Sequence, residues 1–242
     1  MVPQSRAPVI LLTRPAPQSE QFAAAVRVRF PDCPVVLSPL LAPVYFAPPI
    51  PPRDWTAVIF TSRTAVQSVE RNAAYGAALP KLAFCVGNGT AQAATELGLH
   101  AISADGTSED LLTLIRDHAP GGPLLYLHGR EMREDLAEML NSAGIETVSL
   151  TTYAQEAVAL SPEAILTLHS GAPVIAPIFS PRTGAILARQ LPHPPSGLTL
   201  CIVAISSAVD GIAGAEMVVA RQPTADAVLN AIANKLQSLC EP

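Results

Sequence analysis

Basic runs are missing from this chain: 15 Lys and Arg are spread over 242 residues against 20 Asp and Glu, for a net charge of −5. That balance argues against nucleic acid as a partner. It leaves an anionic ligand open, because helix N-termini and a few placed arginines bind anions locally. Charge of either sign is scarce, at 14%, while hydrophobic residues make up 49%, so each half of the chain can bury a core. No stretch reaches the roughly 18 apolar residues that a membrane span needs. No basic patch, long apolar segment and small-residue cleavage site stand at the start, so no signal peptide is expected. Cys33, Cys85, Cys201 and Cys240 are scattered, with no C-x-x-C. Cys85 and Cys201 fall in apolar, strand-like runs and read as buried free thiols, which fits a reducing cytoplasm. The five His are dispersed, and no metal site is expected.

What the chain has is a repeat. Val58-Ile-Phe-Thr-Ser-Arg-Thr-Ala reads as a strand, a hydroxyl turn and a helix. Val174-Ile-Ala-Pro-Ile-Phe-Ser-Pro-Arg-Thr echoes it, with Arg182 standing 119 residues after Arg63. Arg14 and Arg130 are 116 apart, Thr90 and Ser207 are 117 apart, and so are Thr107 and Thr224. A near-constant offset of half the chain is an internal duplication, which implies two similar lobes. A hydroxyl at such a turn caps exposed N–H groups. An arginine just inside it opposes the helix dipole, and its appearance twice suggests a task outside the helix.

Strand and helix alternate throughout. Strands are expected at 9–13, 33–37, 57–60, 82–86, 100–103, 123–127, 147–153, 173–179, 198–205 and 216–219. Helices are expected at 18–28, 63–73, 91–97, from Thr107 with Asp110 in capping-box position, and at 131–142, 162–170 and 182–190. A further helix is expected to open at Ser206-Ser207, and the last one runs from Thr224 to about Leu236. Pro48-Pro-Ile-Pro-Pro52 reads as a loop or lobe boundary, and 193–197 as a turn. Short strands rich in Val, Ile and Leu are those of parallel sheets buried on both faces, so the fold class is α/β.

Gly87-Asn-Gly89 after a strand is only G-x-G. Gln92 stands where a third small residue belongs, and the following strand lacks an acidic end, so dinucleotide binding is a poor fit. A tight turn offering N–H groups to an anion fits better. Ligands of open parallel sheets bind beyond the carboxyl ends of the strands. Arg14, Arg63, Arg130 and Arg182 all follow a strand, as do Ser62, Thr90, Ser180 and Ser207. If the lobes face each other, these groups line one cleft; alone, each arginine is an ordinary solvated charge. Tyr153 closes a strand, where a packing tyrosine is the plain reading. No Ser/His/Asp order and no paired carboxylates stand out at matching turns. An anion-friendly chain without an evident acid/base pair suggests binding, or a reaction that needs mostly positioning. A non-catalytic bilobal anion-binding or ligand-sensing protein is one reading of such a chain.

Thr13-Arg14-Pro15, Phe60-Thr-Ser62, Val86-Gly-Asn-Gly-Thr90-Ala91, residues 144–153, Phe179-Ser-Pro181 and Pro223-Thr224 together resemble the uroporphyrinogen-III synthase family. The resemblance implies two flavodoxin-like lobes, each a parallel sheet flanked by helices. Lobe 1 would be 1–36 plus 156–242 and lobe 2 would be 43–148, joined by antiparallel strands at 37–42 and 149–155. It implies a lyase that closes the linear tetrapyrrole hydroxymethylbilane to uroporphyrinogen III, inverting the last ring and losing water. No cofactor or metal would be needed. The partner would be that substrate, handed over transiently by the enzyme that makes it, and the protein a cytoplasmic monomer binding neither nucleic acid nor membrane. Tyr153 maps onto the family tyrosine and would hydrogen-bond the departing hydroxyl. Arg14, Ser62, Arg63, Gly87, Thr90, Arg130, Ser180, Arg182 and Ser207 would hold the eight carboxylates. Val203-Ala-Ile-Ser-Ser207 departs from the family's Ile-Gly-x-x-Thr, with Ala204 in the glycine's place.

Overall fold

The computed structural model describes residues 7–132, 134–191 and 198–240, with Ala77 and Cys240 by backbone alone. The turn expected at 193–197 lies outside them. The protein is a mixed α/β chain with two sheets flanked by helices. It divides into two compact units, Met1–Ala42 with Glu156–Pro242, and Pro43–Gln155.

The first unit holds β1 (Val9–Leu12), α1 (Ala16–Arg29) and β2 (Val35–Leu37). The chain returns to it for α7 (Pro162–His169), β9 (Val174–Ile178), α8 (Pro181–Gln190), β10 (Leu200–Ala204), β11 (Glu216–Val219) and α9 (Ala225–Cys240). Its sheet runs β11-β10-β9-β1-β2, parallel at every pairing. Successive residues of a strand point to opposite faces. Ile10 and Leu12 accordingly join one core with α1 and α9, while Leu11 joins the other with α7 and α8.

The second unit holds β4 (Ala57–Phe60), α2 (Arg63–Glu70), α3 (Ala73–Ala78), β5 (Leu82–Cys85), α4 (Asn88–Glu96) and β6 (His100–Ser103). It continues with α5 (Ser108–His118), β7 (Leu124–Gly129), α6 (Leu136–Ser142) and most of β8 (Thr147–Ala157). With β3 (Leu41–Tyr45) at one edge, the sheet order is β3-β8-β7-β4-β5-β6, parallel from β8 to β6. Val58 and Phe60 pack under α2, α3 and α4, while Ala57 and Ile59 pack on α5 and α6. Strand β3 is the added edge. Phe46 N–H donates to Thr152 O and Val158 N–H to Leu40 O, so β3 and β8 run in opposite directions. The chain passes between its units on these two strands. The proline run 48–52 is a loop within the second unit rather than the boundary.

Three helices differ from expectation. The helix expected over 63–73 breaks in two, because the Asn72 side chain accepts from Ala74 N–H (3.2 Å) and starts α3. The helix expected over 131–142 begins only at Leu136, where Asp135 accepts from Glu138 N–H (3.1 Å), which leaves Glu131 outside it. The helix expected from Ser206 is not formed: residues 205–215 are turns, bends and irregular chain. Val209 and Ile212 have helical spacing, yet both plug the core from a turning chain, and Gly214 at φ +79° reverses it. Two thiols behave as expected: burial pushes Cys85 up to about 12 and Cys201 up to about 11, and both are free.

Candidate active site

A cavity of 540 Å³ opens at the carboxyl ends of the second unit's strands, the usual ligand position in open parallel sheets. Thr61 and Ser62 reach it from β4, Val86 from β5, Tyr126, His128 and Gly129 from β7, and Tyr153 from β8. Gly106, Thr107 and Ser108 at the start of α5 line it, as do Glu131, Met132 and Glu134.

Tyr153 owes its position to two local features. The β7–β8 register pairs His128 with Thr151 but Gly129 with Tyr153, so Thr152 is an extra residue. Such a bulge turns the following side chain to a new direction. Glycine opposite then makes room, because a Cβ on Gly129 would lie 2.5 Å from the Tyr153 ring. The Arg130 N–H closes the strand end by donating to Tyr153 O (2.8 Å).

The Tyr153 hydroxyl lies 2.9 Å from the Ser62 hydroxyl. Ser62 also accepts from Ala65 N–H (3.1 Å), so one side chain caps α2 and holds the phenol. Burial raises the Tyr153 pKa above the ordinary phenol range; the Ser62 bond pulls it back, and Glu131 and Tyr45 add to the rise. The group is therefore a neutral donor at pH 7. Deeper in the wall, Tyr126 and Thr61 hydroxyls meet at 3.1 Å. Burial raises Tyr126 as well, against the Thr61 bond, with Tyr153 and Asp135 adding to it. Gln155 N–H donates to Glu131 Oε2 (3.1 Å), which pins that carboxylate at the rim.

Of the residues singled out in the sequence, Ser62 and Tyr153 share this cavity. Arg63 lies instead in a groove between α2 and α4, where its Nε donates to Gly89 O (2.9 Å). A Cβ on Gly89 would sit 2.7 Å from that guanidinium, so glycine permits the contact. Gly87 is the N-cap of α4 and offers no side-chain cap to its first N–H groups; Thr90 is buried one turn inside. Arg130 is exposed, its guanidinium over the Phe46 ring at 5.1 Å.

In the first unit, Arg14 stacks over Phe179 at 3.9 Å, and burial lowers its pKa from the usual arginine value. Helix α1 behind it also lacks a side-chain cap. Ser180 caps α8 through Thr183 N–H (3.2 Å) and pairs with the Thr183 hydroxyl at 2.9 Å. Arg182 is exposed in the first turn of α8, and Ser207 is exposed in the non-helical segment after β10.

Sequence reasoning passed over Tyr126, His128 and Glu131. The signal for two of them was present: Tyr126 and His128 are two apart at the end of a strand and so share a face. Among the described residues no cluster of His, Cys, Asp or Glu could hold a metal, and no helix is long and apolar enough to cross a membrane.

Residues 35–230 match the family described as Uroporphyrinogen-III synthase HemD. The crystal structure of uroporphyrinogen-III synthetase from Helicobacter pylori 26695 is similar at a TM-score of 0.59 and 14% identity, over 95% of this chain and 100% of that one. At that identity the likeness concerns the fold. A mutant uroporphyrinogen III synthase from the extremely thermophilic bacterium Thermus thermophilus aligns over 96% of this chain and 100% of its own, at 19% identity and a TM-score of 0.44. No curated protein matches. The family match takes in well over half of the chain and strands of both units, Tyr153 and Ser62 included, and the chain therefore belongs to the uroporphyrinogen-III synthase family.

Proposed function

We propose that the chain closes hydroxymethylbilane to uroporphyrinogen III, with Tyr153 at the reacting carbon. The observation that carries this reading is the family match across residues 35–230. The Tyr153–Ser62 pair, 2.9 Å apart in an open cavity, supports the mechanism. A neutral phenol donates to the hydroxyl of the first ring as its C–O bond breaks, so the oxygen leaves as water and an electrophilic azafulvene remains. Ser62, itself held by α2, keeps the phenol aimed. The protein otherwise works by placing the attacking ring carbon, and proximity and orientation account for much of such a barrier. The activity is that of a cyclising lyase.

The substrate carboxylates go to strand tips and helix starts. In the second unit these are Arg63, Arg130, Thr90 and the N–H groups after Gly87. In the first they are Arg14, Ser180, Arg182 and Ser207. Each helix N-terminus contributes about 0.3–1 kcal/mol toward an anion, more when partly buried. The open first turns of α1 and α4 support this assignment.

Each unit is a flavodoxin-like lobe in this reading. The first unit's β2-β1-β9-β10-β11 is the 2-1-3-4-5 order of that fold in its own chain numbering. The lobes would be 1–36 with 156–242, and 43–148, with 37–42 and 149–155 connecting them. The protein would act as a cytoplasmic monomer that takes its substrate from the enzyme that makes it. The test is a coupled assay in which hydroxymethylbilane is generated in place and the two uroporphyrin isomers are scored. The type III isomer in excess of the buffer blank supports the reading; product equal to the blank removes it.

A further inference from the structure

His128 stands in the wall of the Tyr153 cavity, and no step above uses it. The side chain is only 5% exposed, and its ring is tilted against Tyr126 at 4.8 Å between centroids. Nδ1 lies 2.8 Å from Gly129 O, and a carbonyl can only accept, so Nδ1 carries a proton. In the neutral ring that leaves the lone pair on Nε2. Nε2 has no hydrogen-bond partner among the described residues.

The other unit indicates what this strand position needs for folding. At the offset of 116 that pairs Arg14 with Arg130, His128 corresponds to Leu12 and Tyr126 to Ile10. Both are fully buried apolar core. Apolar bulk is thus enough to build a strand here, and folding does not require an imidazole whose Nε2 opens to the cavity instead of being a buried unpaired atom. A ring nitrogen that folding does not need, open to a cavity lined by Tyr126 and Tyr153, points to a use.

We propose that His128 is a second catalytic residue, whose Nε2 takes the proton released from the free carbon of the last ring when closure is completed. This rests on the synthase reading. The hydroxymethyl C–O bond breaks with its electron pair going to oxygen, which takes the Tyr153 proton and leaves as water. The resulting electrophilic carbon bonds to the substituted α-carbon of the last ring. The bond from that carbon to its old methylene bridge then breaks, its electron pair returning to the last ring and leaving the bridge as a second electrophile. That bridge bonds to the formerly free carbon of the last ring, which then carries one hydrogen too many. Loss of that C–H proton to Nε2 restores the pyrrole, and the imidazolium returns a proton to the Tyr153 phenolate. One water is lost and no proton is left over. Glu131 and Glu134 line the same cavity and no described Lys or Arg does, which favours the cationic ring of the substrate.

His128→Asn keeps an amide N–H where Nδ1 donates and removes Nε2. His128→Leu copies the paired position and stands in should the asparagine variant fold poorly. Each is expected to melt with the wild type and to form the type III isomer about 10²- to 10⁴-fold more slowly, the usual range for lost acid–base catalysis. Deuterium at the free ring carbon of hydroxymethylbilane should slow the variants further, and added imidazole should restore part of the rate. Near-wild-type turnover, or a loss that neither deuterium nor imidazole alters, overturns the proposal while leaving the synthase reading intact. A wild type that makes no more type III isomer than the blank removes both.

Discussion

The two sheets have one strand order and two kinds of tip. Through the repeat offset, β8-β7-β4-β5-β6 reads as β2-β1-β9-β10-β11. The chain merely enters each sheet at a different strand. At the tips the halves part. Tyr126 and His128 of the second unit correspond to Ile10 and Leu12 of the first, and Tyr153 lies past the bulge, two residues beyond Thr151, which is the counterpart of Leu37 by register. Ser62 and Ser180 both cap a helix, but Ser62 turns its hydroxyl to Tyr153 and Ser180 turns its own to Thr183. Gly87 and Ala204 also correspond, and here the backbone differs. Gly87 starts α4, whereas Ala204 is still paired in β10, with no helix after it. Duplication supplied two frames, and the phenols and the imidazole of the cavity stand on only one of them.

The sharpest way to break this contrast is Gly129→Val. Its partner position in the first unit is Thr13, a buried residue with a side chain already in place. At Gly129 a new Cβ strikes the Tyr153 ring, so overpacking should cost about 1–3 kcal/mol. Turnover should fall as far as it does without the phenol; a thermal melt and the isomer assay read the two effects.

Ser62→Ala and Ser180→Ala compare the caps directly. Each should lose about 1 kcal/mol of stability. Only Ser62→Ala should lower kcat; Ser180→Ala should raise KM with kcat kept. Equal kinetic losses would mean that both tips take part in chemistry.

Alkali separates the units by another route. All four tyrosines and the one tryptophan lie in the second unit. Burial is the leading cause of raised pKa at Tyr75, Tyr126 and Tyr153. Unfolded phenols ionise near pH 10, and these folded ones only above it. Stability from them is thus complete below about pH 10 and lost as pH rises through the folded values. Denaturant titrations followed by Trp55 emission should weaken above pH 10, while amide exchange in the first unit changes less. The smallest expected effect is Ser207→Ala, within about 0.5 kcal/mol at an exposed site, against a larger loss for buried Thr90→Ala.

Much of the frame was legible in the sequence, because strands such as Val58–Phe60 and Ile175–Ile178 are continuous apolar runs between turn residues, and the repeat doubled each signal. Tyr153 and Ser62 could be named from their place after strands. The meeting of their hydroxyls could not, because it depends on one extra residue, Thr152, and on the missing side chain of Gly129. Neither leaves a periodic trace. Tyr126 and His128 were hidden by the apolar run around them. Glu131 was hidden by a helix that Asp135 starts late. The segment after β10 misled because Ser207 repeats Thr90 in the duplication and Thr90 does lie in a helix, whereas the chain after Ala204 bends and sends Val209 and Ile212 into the core.

The most direct measurement is the rate of type III isomer formation from hydroxymethylbilane by the wild type and by Tyr153→Phe, with substrate binding measured alongside. Slower turnover with binding kept is the predicted result. Equal turnover would contradict the placing of the reaction at the Tyr153 hydroxyl.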